Sequence, residues 1–558
     1  MNNLNNLNNK WGIAQRVIGI ILYLVSAGML VFSTYLCFSP DIWYDELYSI
    51  QFALKSVSEM VKLTAADVHP PLYYVIVHYL IRGFGYIGGA LGVTIGTDTL
   101  AGNMPVIYAK MASVIPLVIL FIYAVTIIRK RYGTLIGGLF SCAMIAMPQM
   151  ADYSVEIRMY SWVMLFVTAM CIHAEPFLEN DKDKQIRGLK WSKAFPVFIY
   201  GLLACYTQYY AAVAVAFVYL FLIVWSVRKN IYQLGILLIS ANFTAVAYFP
   251  WIGVVLSQAK SVSSNYWIQP LSLRSFGGII KYLMKPGFFN EKLATILAVV
   301  IFILVAFAVV INIRDAYMWL CFMPVIGIIA FGFAASILLR PVFTYRYMIP
   351  GMAALWLGVL IASGRLLNVF GKDAGTEEKK AKPFEKALFA GGLLLTSLVI
   401  VFCIRDYWAF RGNELYKRVN MVETEKFWNS INAETTGKKT ILVCNFDQVS
   451  AISLYYANGM RDVVGEQGEE PPVMVYLYGA MTDEVLANTF PGILSVTEPW
   501  EVWELVDSGS RVLFLGSFNS REDIIKEWEE SPRPLSSENK GSYLLERYWF
   551  DVFEVTKK

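Results

Sequence analysis

The sequence predicts a polytopic α-helical membrane protein of about eleven spans, with a large first loop holding juxtamembrane helices and a C-terminal soluble α/β domain. Three observations carry this. Over 558 residues the composition is 57% hydrophobic and only 16% charged, with a mean hydropathy of +0.50, too apolar for an ordinary soluble chain. Apolar runs of spanning length recur up to about residue 404, a span needing roughly 20 residues. Beyond Arg405 charge and turn residues return, and short β-like runs alternate with helical stretches.

The spans are expected at 14–37, 104–128, 133–150, 159–176, 194–207, 210–227, 231–256, 293–313, 316–339, 347–363 and 387–404. The first is too long for a cleaved signal and shows no small-residue cleavage pattern, so it reads as an uncleaved span behind an Asn-rich tail. Lysines and arginines cluster in short connections: Lys10 and Arg16, Arg129 to Arg131, Lys182 to Lys193, Arg228 and Lys229, Arg314, and Arg365 to Lys386. Short cytoplasmic loops are rich in these residues, so this end and the N-terminus are expected in the cytoplasm. The net charge of +4 is set by topology, with no sign of a nucleic-acid partner.

The same alternation decides residues 70–86, PPLYYVIVHYLIRGFGY. Were they a span, the Arg129–Arg131 cluster would face outside. The run is short, broken by His78 and Arg82 and rich in tyrosine, so it is expected in the interface. Residues 38–103 then form one outer loop. Further outer points are the hinge Tyr206 to Tyr210, the stretch 257–292 with Tyr266, Trp267, Arg274 and Lys281, and Arg340 to Tyr347. An odd number of spans places the C-terminus outside. The expected division is a transmembrane domain over 1–404 and an extracytoplasmic domain over 405–558, with strands at Thr440–Cys444, Val473–Tyr478 and Arg511–Leu515 and helices at Gln448–Asn458, Glu501–Asp507 and Glu522–Glu529. Residues 371–383 read as a flexible cytoplasmic loop. Trp500 and Trp503, three apart on a helix, are expected in its core. Seven scattered cysteines form neither a disulfide framework nor a CxxC site.

Charge at a membrane edge is costly and marks function. Three acidic or basic groups are expected at the outer edge: Asp41 with Asp45-Glu46, Asp67-Val68-His69-Pro70-Pro71, and Tyr153-Ser154-Val155-Glu156-Ile157-Arg158-Met159-Tyr160. Taken singly, each has an ordinary alternative. The Asp-Glu pair can be a solvated loop start, Arg158 can snorkel or pair with Glu156, His69 can be a buried hydrogen-bonding residue, and Arg346 and Tyr347 can be interfacial anchors.

Together, five features in order carry a resemblance: the Asp-Glu pair in the first loop, the His-Pro-Pro-Leu segment at 69–72, the Tyr-Ser-x-Glu-x-Arg-x-Tyr stretch at 153–160, the Tyr-Thr-x-Tyr-Tyr hinge at 206–210, and the Arg346-Tyr347 pair opening a late span. Over roughly residues 10–365 the chain resembles the GT-C glycosyltransferases, in particular the branch of protein O-mannosyltransferases and lipid A aminoarabinose transferases. Many members carry histidine at the hinge, where this chain has Gln208. The resemblance implies an inverting glycosyltransferase that moves a sugar from a polyprenyl-phosphate donor to an acceptor hydroxyl of a protein, lipid or glycan at the outer face of the plasma membrane or its lumenal equivalent. By match to the family's first-loop aspartate, Asp45 is the expected base, with Glu46 beside it as the second catalytic carboxylate. His69, Glu156, Arg158, Tyr345 and Arg346 are the expected donor-binding residues, arginine because its planar fork suits phosphate. The expected geometry sets Asp45 across a small pocket from Arg158.

No cofactor is named by the sequence. A divalent metal on Asp41, Asp45 and His69 is compatible with the chemistry but not required by it, and no metal ligands are assigned. A transporter or flippase of a lipid-linked substrate is the alternative, disfavoured because the charges gather at one end and no inverted repeat is visible. A non-catalytic scaffold or sensor is the third reading.

Overall fold

A computed structural model describes residues 2–39, 42–90, 104–178, 191–229, 231–261, 268, 270–287, 290–368, 383–433, 439–459, 473–478, 493–545 and 548–558. Asp41, Tyr266, Trp267 and most of 182–193 and 371–383 lie outside the described residues. The chain divides into two compact units: Met1–Leu36, Val68–Tyr73 and Ser113–Arg411 form one, and Cys37–Asp67, Tyr74–Ala112 and Gly412–Lys558 the other.

The first unit is a helical bundle of a multi-span membrane protein. Among the described residues nine helices are long and apolar enough to cross a membrane: Trp11–Leu36, Pro105–Tyr132, Tyr160–Leu178, Tyr209–Lys229, Ile231–Gln258, Glu291–Ile311, Ala316–Leu338, Tyr345–Leu367 and Pro383–Arg411. Two shorter apolar helices, Thr134–Ala146 and Trp191–Cys205, account for the remaining expected segments. The Leu72–Ala90 helix is not among the nine.

The Tyr345–Leu367 and Tyr160–Leu178 stretches are the most enclosed of the nine. The latter packs on Trp191–Cys205 and the former on Ala316–Leu338. Lipid is as apolar as leucine, so helices associate here through close contact and buried polar pairs rather than water exclusion. Helix Asn2–Leu36 shows both against Thr134–Ala146: a Cβ on Gly138 would stand 2.5 Å from the Gly19 carbonyl oxygen. Farther along, Ser26 Oγ lies 2.8 Å from Ser141 Oγ, and Ser33 Oγ lies 2.9 Å from both Ser154 Oγ and the Tyr407 hydroxyl. Gly138→Ala should therefore force the two helices apart at a cost of about 1–3 kcal/mol, read as a lower Tm in detergent. An unchanged Tm would show that the contact does not hold the bundle together.

The second unit contains the helices Tyr44–Leu54 and Val57–Ala66, the greater part of Leu72–Ala90, and a C-terminal sheet domain. Among the described residues the sheet has six strands: β1 (Thr440–Cys444), β2 (Val473–Tyr478), β3 (Ile493–Val496), β4 (Arg511–Gly516), β5 (Leu535–Leu545) and β6 (Tyr548–Lys557). Their order is β3-β2-β1-β4-β6-β5. The first four are parallel, and β6 joins β4 and β5 antiparallel. Strand β1 is buried along its whole length, as a central parallel strand covered on both faces must be. Trp528 anchors the core with its ring 4.9 Å from Phe514 and 5.4 Å from Tyr478.

Four details differ from the sequence expectations. The compositional break near Arg405 falls inside one continuous helix, Pro383–Ala433, since a helix satisfies its own backbone and need not stop where its apolar surface does. The stretch 257–292 holds a helix, Leu273–Met284, whose paired glycines lower its apparent propensity. The β5–β6 hairpin went unforeseen because β5 is polar and gains its place only by pairing with β6. Trp503 packs against the core of the sheet domain, but Trp500 is 49% exposed and does not. All seven cysteines are buried, and none is in a disulfide.

Candidate active site

The connection between helices Thr134–Ala146 and Tyr160–Ala174 carries the motif at 153–160. Gln149 adopts φ 66°, a left-handed turn, and a single tight turn follows at Asp152–Ser154. Val155 and Ile157 are fully buried and hold the segment down. The Glu156 carbonyl accepts from the Ser113 hydroxyl at 2.7 Å and from the Arg158 amide at 2.7 Å. Arg158 itself is only 5% exposed. Its guanidinium is enclosed by protein, against the snorkelling alternative, and a buried cation is retained where an anion or a polar partner meets it.

Tyrosines continue the site outward from this motif. The Tyr153 ring lies 4.7 Å from Tyr160, and its phenol is beside Tyr282 of helix Leu273–Met284. Burial pushes the Tyr153 phenol far up, reinforced by Tyr282 and Glu156. Burial likewise raises Tyr282, with Tyr160 and Glu156 adding and Arg346 opposing. Both phenols thus stay protonated. Tyr282 stacks on Tyr345 at 6.0 Å, and the Tyr345 ring occupies the space where Gly278 lacks a side chain. Next to it, Tyr347 stacks on Tyr210 at 4.4 Å, and the Tyr210 hydroxyl donates to the Val342 carbonyl at 2.7 Å. The Tyr206 carbonyl accepts from the Leu72 amide at 3.1 Å, tying the hinge to the end of His69-Pro70-Pro71. Both prolines are buried, while His69, Glu156, Tyr345 and Arg346 are partly exposed. Gln208 is buried, and its backbone carbonyl accepts from the amides of Ala211 and Ala212 at the start of the next helix.

The first unit therefore links His69, Glu156, Arg158, Tyr345 and Arg346 through one connected set of segments. Tyr282 belongs with them and was missed. Its signal was the apolar spacing of LRSFGGIIKYLM, which the glycine pair masked.

Asp45 and Glu46 lie in the second unit, in the first turn of helix Tyr44–Leu54. The Glu46 carboxylate is fully buried and accepts from the Trp43 amide at 3.1 Å. This fixes the start of the helix and favours a structural task over proton transfer. Asp45 is partly exposed. Behind them His78 Nδ1 lies 2.9 Å from the Ala53 carbonyl, and Phe52 meets Tyr74 edge-on at 5.1 Å, holding helix Leu72–Ala90 to the segment. Among the described residues no three His, Cys, Asp or Glu side chains gather as a metal site.

No protein-family model and no curated protein matches the sequence. Solved structures do match in fold. ArnT from Cupriavidus metallidurans in the apo state aligns over 98% of this chain and 98% of its own, at 12% identity and TM-score 0.54. The same protein bound to undecaprenyl phosphate aligns over the same shares at 12% identity and TM-score 0.52. The oligosaccharyltransferase of Archaeoglobus fulgidus in the apo form aligns over 80% of this chain and 64% of its own, at 11% identity and a TM-score of 0.42, too distant to build on. The GT-C type of fold expected from the motifs is the fold the chain adopts, and the correspondence extends beyond residue 365 into the sheet domain.

Proposed function

We propose that this chain is an inverting glycosyltransferase that moves a sugar from a polyprenyl-phosphate donor to an acceptor hydroxyl. The full-length fold likeness to a protein whose structure holds undecaprenyl phosphate carries the reading. Asp45 takes the proton of the acceptor hydroxyl as its oxygen bonds to the anomeric carbon. The bond from that carbon to the phosphate oxygen breaks on the opposite face, and the polyprenyl phosphate departs with an added negative charge. Arg158 and Arg346 hold that charge, with His69 and the Tyr153, Tyr282 and Tyr345 phenols donating around it. Glu156 orients this cluster, and Glu46 fixes the helix that bears the base. The site faces the extracytoplasmic side, with the N-terminus in the cytoplasm, a transmembrane domain over 1–404 and an extracytoplasmic domain over 405–558.

Purified full-length protein in polyprenyl-phosphate-containing micelles, given radiolabelled polyprenyl-phosphate sugars and a hydroxyl acceptor, is expected to release polyprenyl phosphate and form a glycoside of inverted anomeric configuration. Transbilayer movement of the donor without cleavage would instead make the chain a flippase.

A further inference from the structure

The sheet domain touches the segment that bears the proposed base. Strand β1 is followed directly by Asn445-Phe446-Asp447, and its neighbours β2 and β4 lie on either side, so strand order reverses at the carboxyl ends of β1 and β4. Parallel sheets place their working loops at such a point. Here the two ends are pinned together. Asn445 Nδ2 donates to the Ser517 carbonyl at 2.8 Å and to Ser520 Oγ at 3.0 Å, and the Ser517 amide returns a bond to Asn445 Oδ1 at 2.8 Å. Phe446 and Phe518 meet edge-on at 4.9 Å. Asp447 opens helix Asp447–Gly459 from this rigid base, and that helix packs against Tyr44–Leu54 within the same compact unit. The Tyr44 hydroxyl donates to Asp447 Oδ2 at 3.3 Å.

We infer that Asp447 is a positioning residue for sugar transfer: by accepting the Tyr44 hydrogen bond it holds in place the helical turn that presents Asp45. The inference rests on the reading of Asp45 as base. Tyr44 and Asp45 are consecutive residues of one turn, so a phenol anchored on one side limits how far the neighbouring carboxylate can swing on the other. Glu46 bonds the Trp43 amide of the same turn, giving it a second anchor. The chemistry of the pair is consistent with this role. Burial pushes the Tyr44 phenol far up, and the carboxylates of Asp447, Asp45 and Asp67 push it further, so it keeps its proton to donate. Burial also raises the Asp447 carboxyl, against the pull of the Gln448 amide and the Tyr44 hydroxyl. The sheet domain is thereby a working part of the transferase and not an appendage.

The test uses full-length Asp447→Ala, Asp447→Asn, Tyr44→Phe and the Tyr44→Phe/Asp447→Ala double variant in detergent, with kcat, KM for each substrate and Tm measured for all. Asp447→Ala and Tyr44→Phe should each lower kcat about tenfold, the scale of a small misplacement of a catalytic group, with Tm and both KM values nearly unchanged. The double variant should be no worse than either single one, because the two residues act through one contact. Asp447→Asn should recover most of the loss, since its amide oxygen still accepts from Tyr44. Full kcat in both single variants, multiplying losses in the double one, or a fall in Tm that accounts for the lost activity would overturn the inference. Should Asp447→Ala fail to fold, Tyr44→Phe alone decides. Asp45→Asn, run alongside, separates the two readings: an inactive Asp45→Asn with a fully active Tyr44→Phe removes only this inference, whereas an active Asp45→Asn removes the base assignment itself.

Discussion

Asp45→Asn is expected to lower kcat by about 10²- to 10⁴-fold, the usual worth of a positioned general base, with yield and Tm nearly unchanged. The amide keeps the shape of the side chain but cannot take a proton from the attacking hydroxyl. Asp45 is partly exposed in the first turn of its helix, and losing its charge there should cost only about 0.3–1 kcal/mol of interaction with the helix dipole. Glu46 provides the contrast. Its carboxylate is buried on the Trp43 amide, so Glu46→Gln should cost activity together with stability, whereas Asp45→Asn should cost chiefly activity. Retained turnover in Asp45→Asn would move the base elsewhere.

Arg158→Ala carries the second large effect. A buried guanidinium facing a phosphate that gains charge during reaction stabilises the departing group, and removing such a donor costs about 10²- to 10³-fold in rate. The loss should fall on the donor side, raising KM for the polyprenyl-phosphate sugar and lowering kcat, while KM for the acceptor stays near its original value. Arg158→Lys should recover only part, because an ammonium keeps the charge without the planar fork. Equal losses toward donor and acceptor, accompanied by a lower Tm, would assign Arg158 to the bundle's packing instead. That outcome has a physical basis, since the residue sits between the fully buried Ile157 and a largely buried helix.

The two variants probe residues whose visibility in the sequence differed. Arg158 stood out because it is a basic residue at the expected outer end of a span, away from the cytoplasmic clusters of lysine and arginine, and the five motifs in order reinforced it. The hinge, the 340–347 segment and the His-Pro-Pro stretch were legible for the same reason, as polar interruptions in hydropathy. Tyr282 was not, because a phenol in a glycine-bearing amphipathic helix carries no distinctive pattern until Tyr345 is seen against Gly278. Glu46 and Asp45 looked equivalent as neighbours in sequence. Only the helix start separates them, one carboxylate bonded to its own backbone and the other partly exposed.

Hydropathy period alone was enough for the bundle, since every expected apolar segment proved helical and a lipid environment leaves few alternatives to a self-satisfied helix. Apolar β-branched runs were likewise enough for the central parallel strands. Contacts between residues more than a hundred positions apart were beyond reach: Ser33 with Tyr407, Tyr210 with Tyr347, and Tyr44 with Asp447. Local chain preferences are set by neighbours a few residues away, whereas a site is assembled by packing, and which side chains meet depends on how all the helices and strands settle at once.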